Sequence, residues 1–587
     1  MGVVRPLCCF LLLAGLASAQ TAVFPLRDIR PGMKGTGKTV FEGSRVDEFQ
    51  VEVLGVLENS GPKQSLILAR LSGGPLERTG VMQGMSGSPV YIDGRLAGAV
   101  AMSFALSKEP IAAIRPIEDM LGIGDQPQPQ QRRARLWDGE LAKSLPPPSE
   151  VATGGARLVE IATPVSFAGF SPGVVAHFAP QLRALGLEPT QGIAGGRSPA
   201  GVAPPGSIEP GSMITVQLMT GDLSIGADGT VTHVDGSRIY AFGHRFLSVG
   251  ATELPFARSE VLALLPNLST SFKISAAREW AGTITQDRTV AVAGEIGLKA
   301  AMLPVSISVV RHDGNGPERR SSYNMEVVRD PILSPFLLQM AVLSAIEATE
   351  HLIGPSTFAV SGQIDFEGSV VPMKLDNAFA GDANVPAQVA LGAATSMSYA
   401  MQSGFDALRP RRVALTIDAY PSRRTLNIEQ LWASRRVVKP GEPFDVIVLL
   451  SGDNGLEITR KVTYRVPVGA RPGLLQVTAA DAGSMNLIDF RQMLTQSPRS
   501  AGQLVSMMNA MRPSTSAWVR LWRAEPSFDI QGDTLPDPPP SAAMVLARSN
   551  SSLNPAQVMP NSKVAEFEVP AGMVVTGSKT IQVEVKE

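Results

Sequence analysis

"GVMQGMSGSPVYIDGRLAGAVAMSF", residues 80–104, reads as a glycine-rich turn, a strand, an Asp-Gly corner and a second strand. Asp93-Gly94 between two apolar alternating runs is a hairpin signature, because both residue types tolerate the positive φ of a two-residue turn. The turn before it, Gly84-Met85-Ser86-Gly87-Ser88-Pro89, sets one hydroxyl between glycines. A nucleophilic serine needs its hydroxyl exposed at such a turn. The amides of Gly84 and Ser86 can then converge on the oxygen of a tetrahedral intermediate, in torsions that glycine tolerates best. The hairpin would hold the turn rigid and offer an edge to an extended peptide.

Serine is a poor nucleophile without a base. The chain has five histidines. His244, in "YAFGHRFLSVG", follows an apolar strand and a glycine, which places it at a strand end facing a loop, where a base belongs. His233 lies just before the Asp235-Gly236 corner and reads as a surface strand residue. His177, His312 and His351 sit in ordinary helix or loop settings. Asp222, Asp228 and Asp235 lie near His244 in sequence, but Asp228 and Asp235 stand beside glycines, where aspartate is favoured by turn geometry.

The segment "TGVMQGMSGSPVYIDGRLAGAVAMSF" resembles the serine motif of the SpoIVB (stage IV sporulation protein B) serine peptidases. "GTVTHVDGSRIYAFGH" and "GTITQDRTVAVAGEIG" are similar to that family's histidine segment and the stretch after it. The resemblance covers residues 79–104 and 229–297. It implies a trypsin-like serine endopeptidase with Ser86 as nucleophile, His244 as general base, and Gly84 and Ser86 forming the oxyanion hole. It also implies a permuted order, because the family runs histidine, aspartate, serine and here Ser86 precedes His244. The family's orienting aspartate has no counterpart around Leu71 and Ser72. No metal or organic cofactor is expected, and a protein or peptide is the expected substrate.

The rest of the chain sets the context. Residues 1–19, "MGVVRPLCCFLLLAGLASA", have one positive charge, an apolar run and a small-residue ending, which predicts a cleaved signal peptide and a secreted or periplasmic chain. Cys8 and Cys9 are the only cysteines, so the mature chain is expected to have neither disulfide nor thiol chemistry. With 52 basic against 53 acidic side chains and no block of like charge, nucleic acid is an unfavoured partner. The apolar run at the N-terminus is short for a bilayer, so no stable membrane span is expected in the mature chain. The abundance of turn formers, 56 glycines and 46 prolines, predicts a mainly β fold.

The expected organisation is a signal peptide (1–19), an N-terminal β block with the serine motif (20–124), and a Pro/Gln/Arg-rich linker (125–155). A central block with the histidine motif (156–421) and a C-terminal β-sandwich-like domain (422–587) follow. Within the central block, "SPFLLQMAVLSAIEATE" predicts a helix capped by Ser334, with Leu338, Val342 and Ile346 as its buried stripe. The polar linker offers Gln131 to Arg135 as a candidate self-cleavage site. No sequence repeat is evident. The competing expectation is a catalytically inactive peptidase-like envelope protein that binds peptides or acts as a scaffold.

Overall fold

The computed structural model describes residues 22–104, 106–125, 139–153, 156–191, 199–312, 318–349, 354–368, 370–495, 498–530, 533–535, 538–548, 557–559 and 561–587. The expected signal peptide and the Gln131–Arg135 segment lie outside them.

The N-terminal block forms β1 (Lys34–Glu42), β2 (Arg45–Gly61), β3 (Gln64–Ser72), β4 (Pro89–Ile92), β5 (Arg95–Phe104) and β6 (Ile111–Pro116). Asp93 and Gly94 take the positive φ expected at the β4–β5 corner. The strands pair in the order β1-β2-β3-β6-β5-β4, and β4 returns to β1, so six antiparallel strands close a barrel. Phe49, Val51, Ile67, Leu71, Val90, Val100 and Ile114 fill it. Closure corrects one expectation. Val90 of β4 pairs with Gly37 on one side and Gly98 on the other, so the hairpin offers no free edge to a peptide.

Four strands lead to the next barrel: β7 (Glu150–Thr153), β8 (Ala156–Glu160), β9 (Thr163–Ala168) and β10 (Leu187–Gln191). β8 pairs with the end of β5, Met102 opposite Glu160. The latter part of the expected linker is therefore structured. β7 pairs with β8, and Leu141 and Leu145 join the largest core, because these apolar side chains find cover among the central strands and helices.

The second barrel contains β11 (Met213–Gly221), β12 (Ser224–Asp235), β13 (Arg238–Ala241), β14 (Gly250–Leu265), β15 (Phe272–Arg288) and β16 (Ala291–Ile296). Its order is β11-β12-β13-β16-β15-β14 with β14 back on β11, all antiparallel. The two barrels thus have the same strand order, although their sequences show no repeat. The mainly β fold agrees with the abundance of turn formers, and the two barrels with the trypsin-like fold that the family resemblance implied.

Two apolar seams join the barrels. One contains Leu96, Ala99, Ile117 and Met120 from the first with Tyr240, Ala291 and Ala293 from the second. The other contains Val40, Met213 and Val261.

Beyond the second barrel its sheet continues through strands 302–311, 319–328, 356–366, 373–381 and 410–420, covered by the helices Leu333–Thr349 and Val385–Met401. Helix Leu333–Thr349 starts one turn differently from the sequence expectation. Asp330, not Ser334, caps it, because its carboxylate reaches the amides of both Ile332 and Leu333. The helix is buried on all sides from Leu333 to Ile346, not along one stripe.

Residues after 422 form the expected sandwich. Val446, Val448 and Leu450 of one sheet face Val477, Val519, Leu521 and Val583 of the other. The helical insertion Ala501–Asn509 packs away from that core. Leu504 and Val505 join the central core, and Asn509 Nδ2 donates to the Pro372 carbonyl at 3.0 Å.

Candidate active site

The serine turn sits where the barrels meet, and its backbone is held from both sides. Ser88 N–H donates to the Met85 carbonyl at 2.9 Å and Gly87 N–H to the Val100 carbonyl at 2.8 Å, which bind the turn to its own barrel. Across the junction, Thr230 N–H donates to the Ser86 carbonyl at 2.9 Å. The hydroxyls of Thr230 and Thr232 donate to the carbonyls of Gly84 and Gly87 at 2.9 and 2.7 Å. The amides of Gly84 and Ser86 take no part in these bonds. Gly87, at φ +93°, has no alternative: a Cβ there would stand 2.0 Å from the Thr230 carbonyl oxygen and 2.5 Å from the Phe242 nitrogen.

The histidine segment folds against the same place. After β13, Phe242 and Gly243 both take positive φ, at 72° and 65°. This sharp reversal, uncommon for a phenylalanine, turns the chain so that Gly243 lies against Ala99, Val100 and Ala101 of β5. His244 follows at the strand end, as expected. Its Nδ1 stands 2.6 Å from the Arg245 carbonyl oxygen. A carbonyl only accepts, so in the neutral ring Nδ1 carries the hydrogen and Nε2 carries the lone pair.

The structure therefore brings the Ser86 turn and the His244 loop into direct backbone contact. It also corrects the expectation that the hydroxyl is exposed. Ser86 is 0% exposed and His244 2%. Ser86 Oγ and His244 Nε2 are both buried without a hydrogen-bond partner, including each other. Burial lowers the pKa of His244 below its ordinary value, against an opposing pull from Glu160. The nearby charges of Arg115 and Arg245 lower it further.

Three groups around this pair were not singled out in sequence. Asp287 accepts from the amides of Phe246, Leu247 and Val249 at 2.8, 2.7 and 3.2 Å, and so holds the loop after His244. Burial raises its carboxyl to about 6. It lies in "GTITQDRTV", where an Asp-Arg pair before a threonine has the look of a surface turn. Glu160 is buried, with Oε2 3.4 Å from Arg245 Nε. Arg245 Nη1 also donates to the Pro146 carbonyl at 2.6 Å. Lys273 is buried beside Gly84 and donates from Nζ to Thr39 Oγ1 at 2.8 Å.

Lys273 feels the charge of Asp228, and this overturns the turn reading of Asp228. That residue is fully buried in β12, accepting from Thr215 Oγ1 at 2.6 Å and from Ser275 Oγ. Burial raises Asp228 to about 6 and lowers Lys273 to about 7.

The remaining histidines stay apart from this constellation. His233 is half-buried in β12 and stacks on Tyr240. His177 is exposed, and His312 pairs with Asp418 at 2.7 Å. His351 lies outside the described residues. Asp235 does stand at the hairpin corner, and Asp222 accepts from the Asn324 amide at 2.7 Å.

Residues 17–120, which contain the whole first barrel and its serine turn, match the family model of the SpoIVB peptidase S55. No curated protein and no solved structure matches the chain. The match supports the resemblance drawn from the serine motif and ends before His244. Among the described residues no helix is long and apolar enough to cross a membrane.

Proposed function

We propose that this chain is an exported serine endopeptidase, acting in the periplasm or outside the cell, that cleaves a protein substrate through an acyl-enzyme. The carrying observation is that two buried groups, each without a hydrogen-bond partner, lie on segments whose backbones meet at Gly87 and Phe242: Ser86 Oγ, which has a proton to give, and His244 Nε2, which has a lone pair to take one. In the proposed reaction Oγ bonds to the scissile carbonyl carbon while its proton passes to Nε2. The unused amides of Gly84 and Ser86 receive the oxyanion. Collapse breaks the C–N bond, and the imidazolium returns the proton to the leaving amine. The Arg245 carbonyl takes over the part of the triad acid that fixes the tautomer. No metal or organic cofactor enters this scheme.

Complete burial of Ser86 means that substrate reaches it only after the barrel junction opens. The same burial favours a second reading, in which the peptidase core is a catalytically silent scaffold in the cell envelope. A fluorophosphonate probe separates the two. Labelling of the wild-type chain that is lost in both Ser86→Ala and His244→Ala is the expected result. A folded wild-type chain that takes up no label supports the scaffold.

A further inference from the structure

The family's orienting aspartate is missing upstream of the serine, yet the site contains a carboxylate that arrives from a different strand. Glu160 ends β8, opposite Met102 at the end of β5. The next residue, Ile161, donates its amide to the carbonyl of Ala101, and Ala101 is one of the residues against which Gly243 packs. Glu160 thus reaches the His244 loop through one intervening strand. Its side chain is 5% exposed, Oε2 contacts Arg245 Nε, and Oε1 is buried with no partner. A buried carboxylate oxygen without a donor is costly in a purely structural role.

We infer that Glu160 is the positioning acid of this site: its carboxylate stabilises the imidazolium that His244 becomes on taking the Ser86 proton. The inference rests on the serine peptidase reading above. Proton transfer creates a cation in a buried place already occupied by the guanidinium groups of Arg115, from β6, and Arg245, from the histidine's own loop. Both groups disfavour the protonated ring, and Glu160 opposes them. Asp119 also has a buried oxygen without a hydrogen-bond partner, 4.0 Å from Arg115, but Glu160 is the carboxylate whose charge bears on His244, and Asp287 accepts from the loop amides. Because the Arg245 carbonyl already fixes the tautomer, Glu160 acts through charge alone.

The test uses the full chain with 13C-labelled histidine, in the wild type, Glu160→Gln and Glu160→Asp. His244 is assigned by its loss in His244→Gln. Two quantities are followed against pH: the His244 titration, and the rate of fluorophosphonate labelling, in which the Oγ–P bond forms, P–F breaks and the proton leaves through Nε2. Loss of the negative charge makes the imidazolium harder to form. The His244 midpoint in Glu160→Gln should therefore fall by about one pH unit, and the plateau labelling rate by about tenfold. Glu160→Asp keeps the charge but draws it back, which should give a smaller shift of the same sign. A purely structural residue would change folding without moving either midpoint.

Unchanged midpoints in Glu160→Gln overturn the inference. Should that variant not fold, an unshifted Glu160→Asp does the same. If the wild type shows no Ser86-dependent labelling, the peptidase reading fails and this role fails with it. Ser86-dependent labelling with an unshifted His244 removes only the role of Glu160.

Discussion

Ser86 is the residue at which the proposed chemistry and the stability of this chain oppose each other. Its hydroxyl lies fully buried, and no protein group answers its hydrogen-bonding capacity. Deleting an unsatisfied buried hydroxyl relieves a desolvation penalty, so Ser86→Ala should stabilise the chain by about 1 kcal/mol, seen as a higher melting temperature. A melting temperature several degrees lower would mean that the hydroxyl bears structure. The backbone reversals that hold the candidates Ser86 and His244 were legible in the sequence, because glycines beside a polar residue mark a sharp turn. Glu160, Asp287 and Lys273 were not. A lone acid or lysine in an alternating strand normally faces water, and these three turn inward through partners distant in sequence: Glu160 to Arg245, Asp287 to the loop after His244, and Lys273 to Thr39 of the other barrel.

At the scale of the elements, the loop after His244 has no regular structure of its own and depends on Asp287. One carboxylate accepts from three consecutive-region amides, a geometry that no neutral side chain reproduces. Asp287→Ala would leave those amides buried and unpaired at about 1–3 kcal/mol each. A loss of more than about 3 kcal/mol in denaturant unfolding is expected, with Asp287→Asn, which retains one acceptor oxygen, falling between it and the wild type. Equal stability of the alanine variant would show that the loop finds other acceptors. The hairpins at Asp93-Gly94 and Asp235-Gly236 were legible because two-residue corners are local signals. Barrel closure was not, since β1 meets β4 and β11 meets β14 through registers set by residues far apart in the chain. The shared strand order of the two barrels is likewise carried by pairing and burial pattern, which different apolar residues satisfy equally well.

In the whole molecule, both candidate groups lie at a junction that apolar seams and backbone bonds hold shut. In the proposed reaction substrate access is an equilibrium between closed and open junctions, and labelling of a buried serine should proceed only from the open form. The hydroxyls of Thr230 and Thr232 act on that equilibrium without touching Oγ or Nε2, because they bind the carbonyls on either side of Ser86 from the opposite barrel. Replacing both by valine keeps the shape and removes two hydrogen bonds worth about 1 kcal/mol each. If opening limits the reaction, the Thr230→Val/Thr232→Val chain should label roughly tenfold or more faster than the wild type at equal probe concentration. It should also unfold at lower denaturant. Both changes have one cause, since the bonds that stabilise the closed junction are those that must break to admit a substrate. Slower labelling in the same variant would reverse the assignment: the two threonines would then shape the turn for attack, and the barrels would already part readily enough for the serine to be reached.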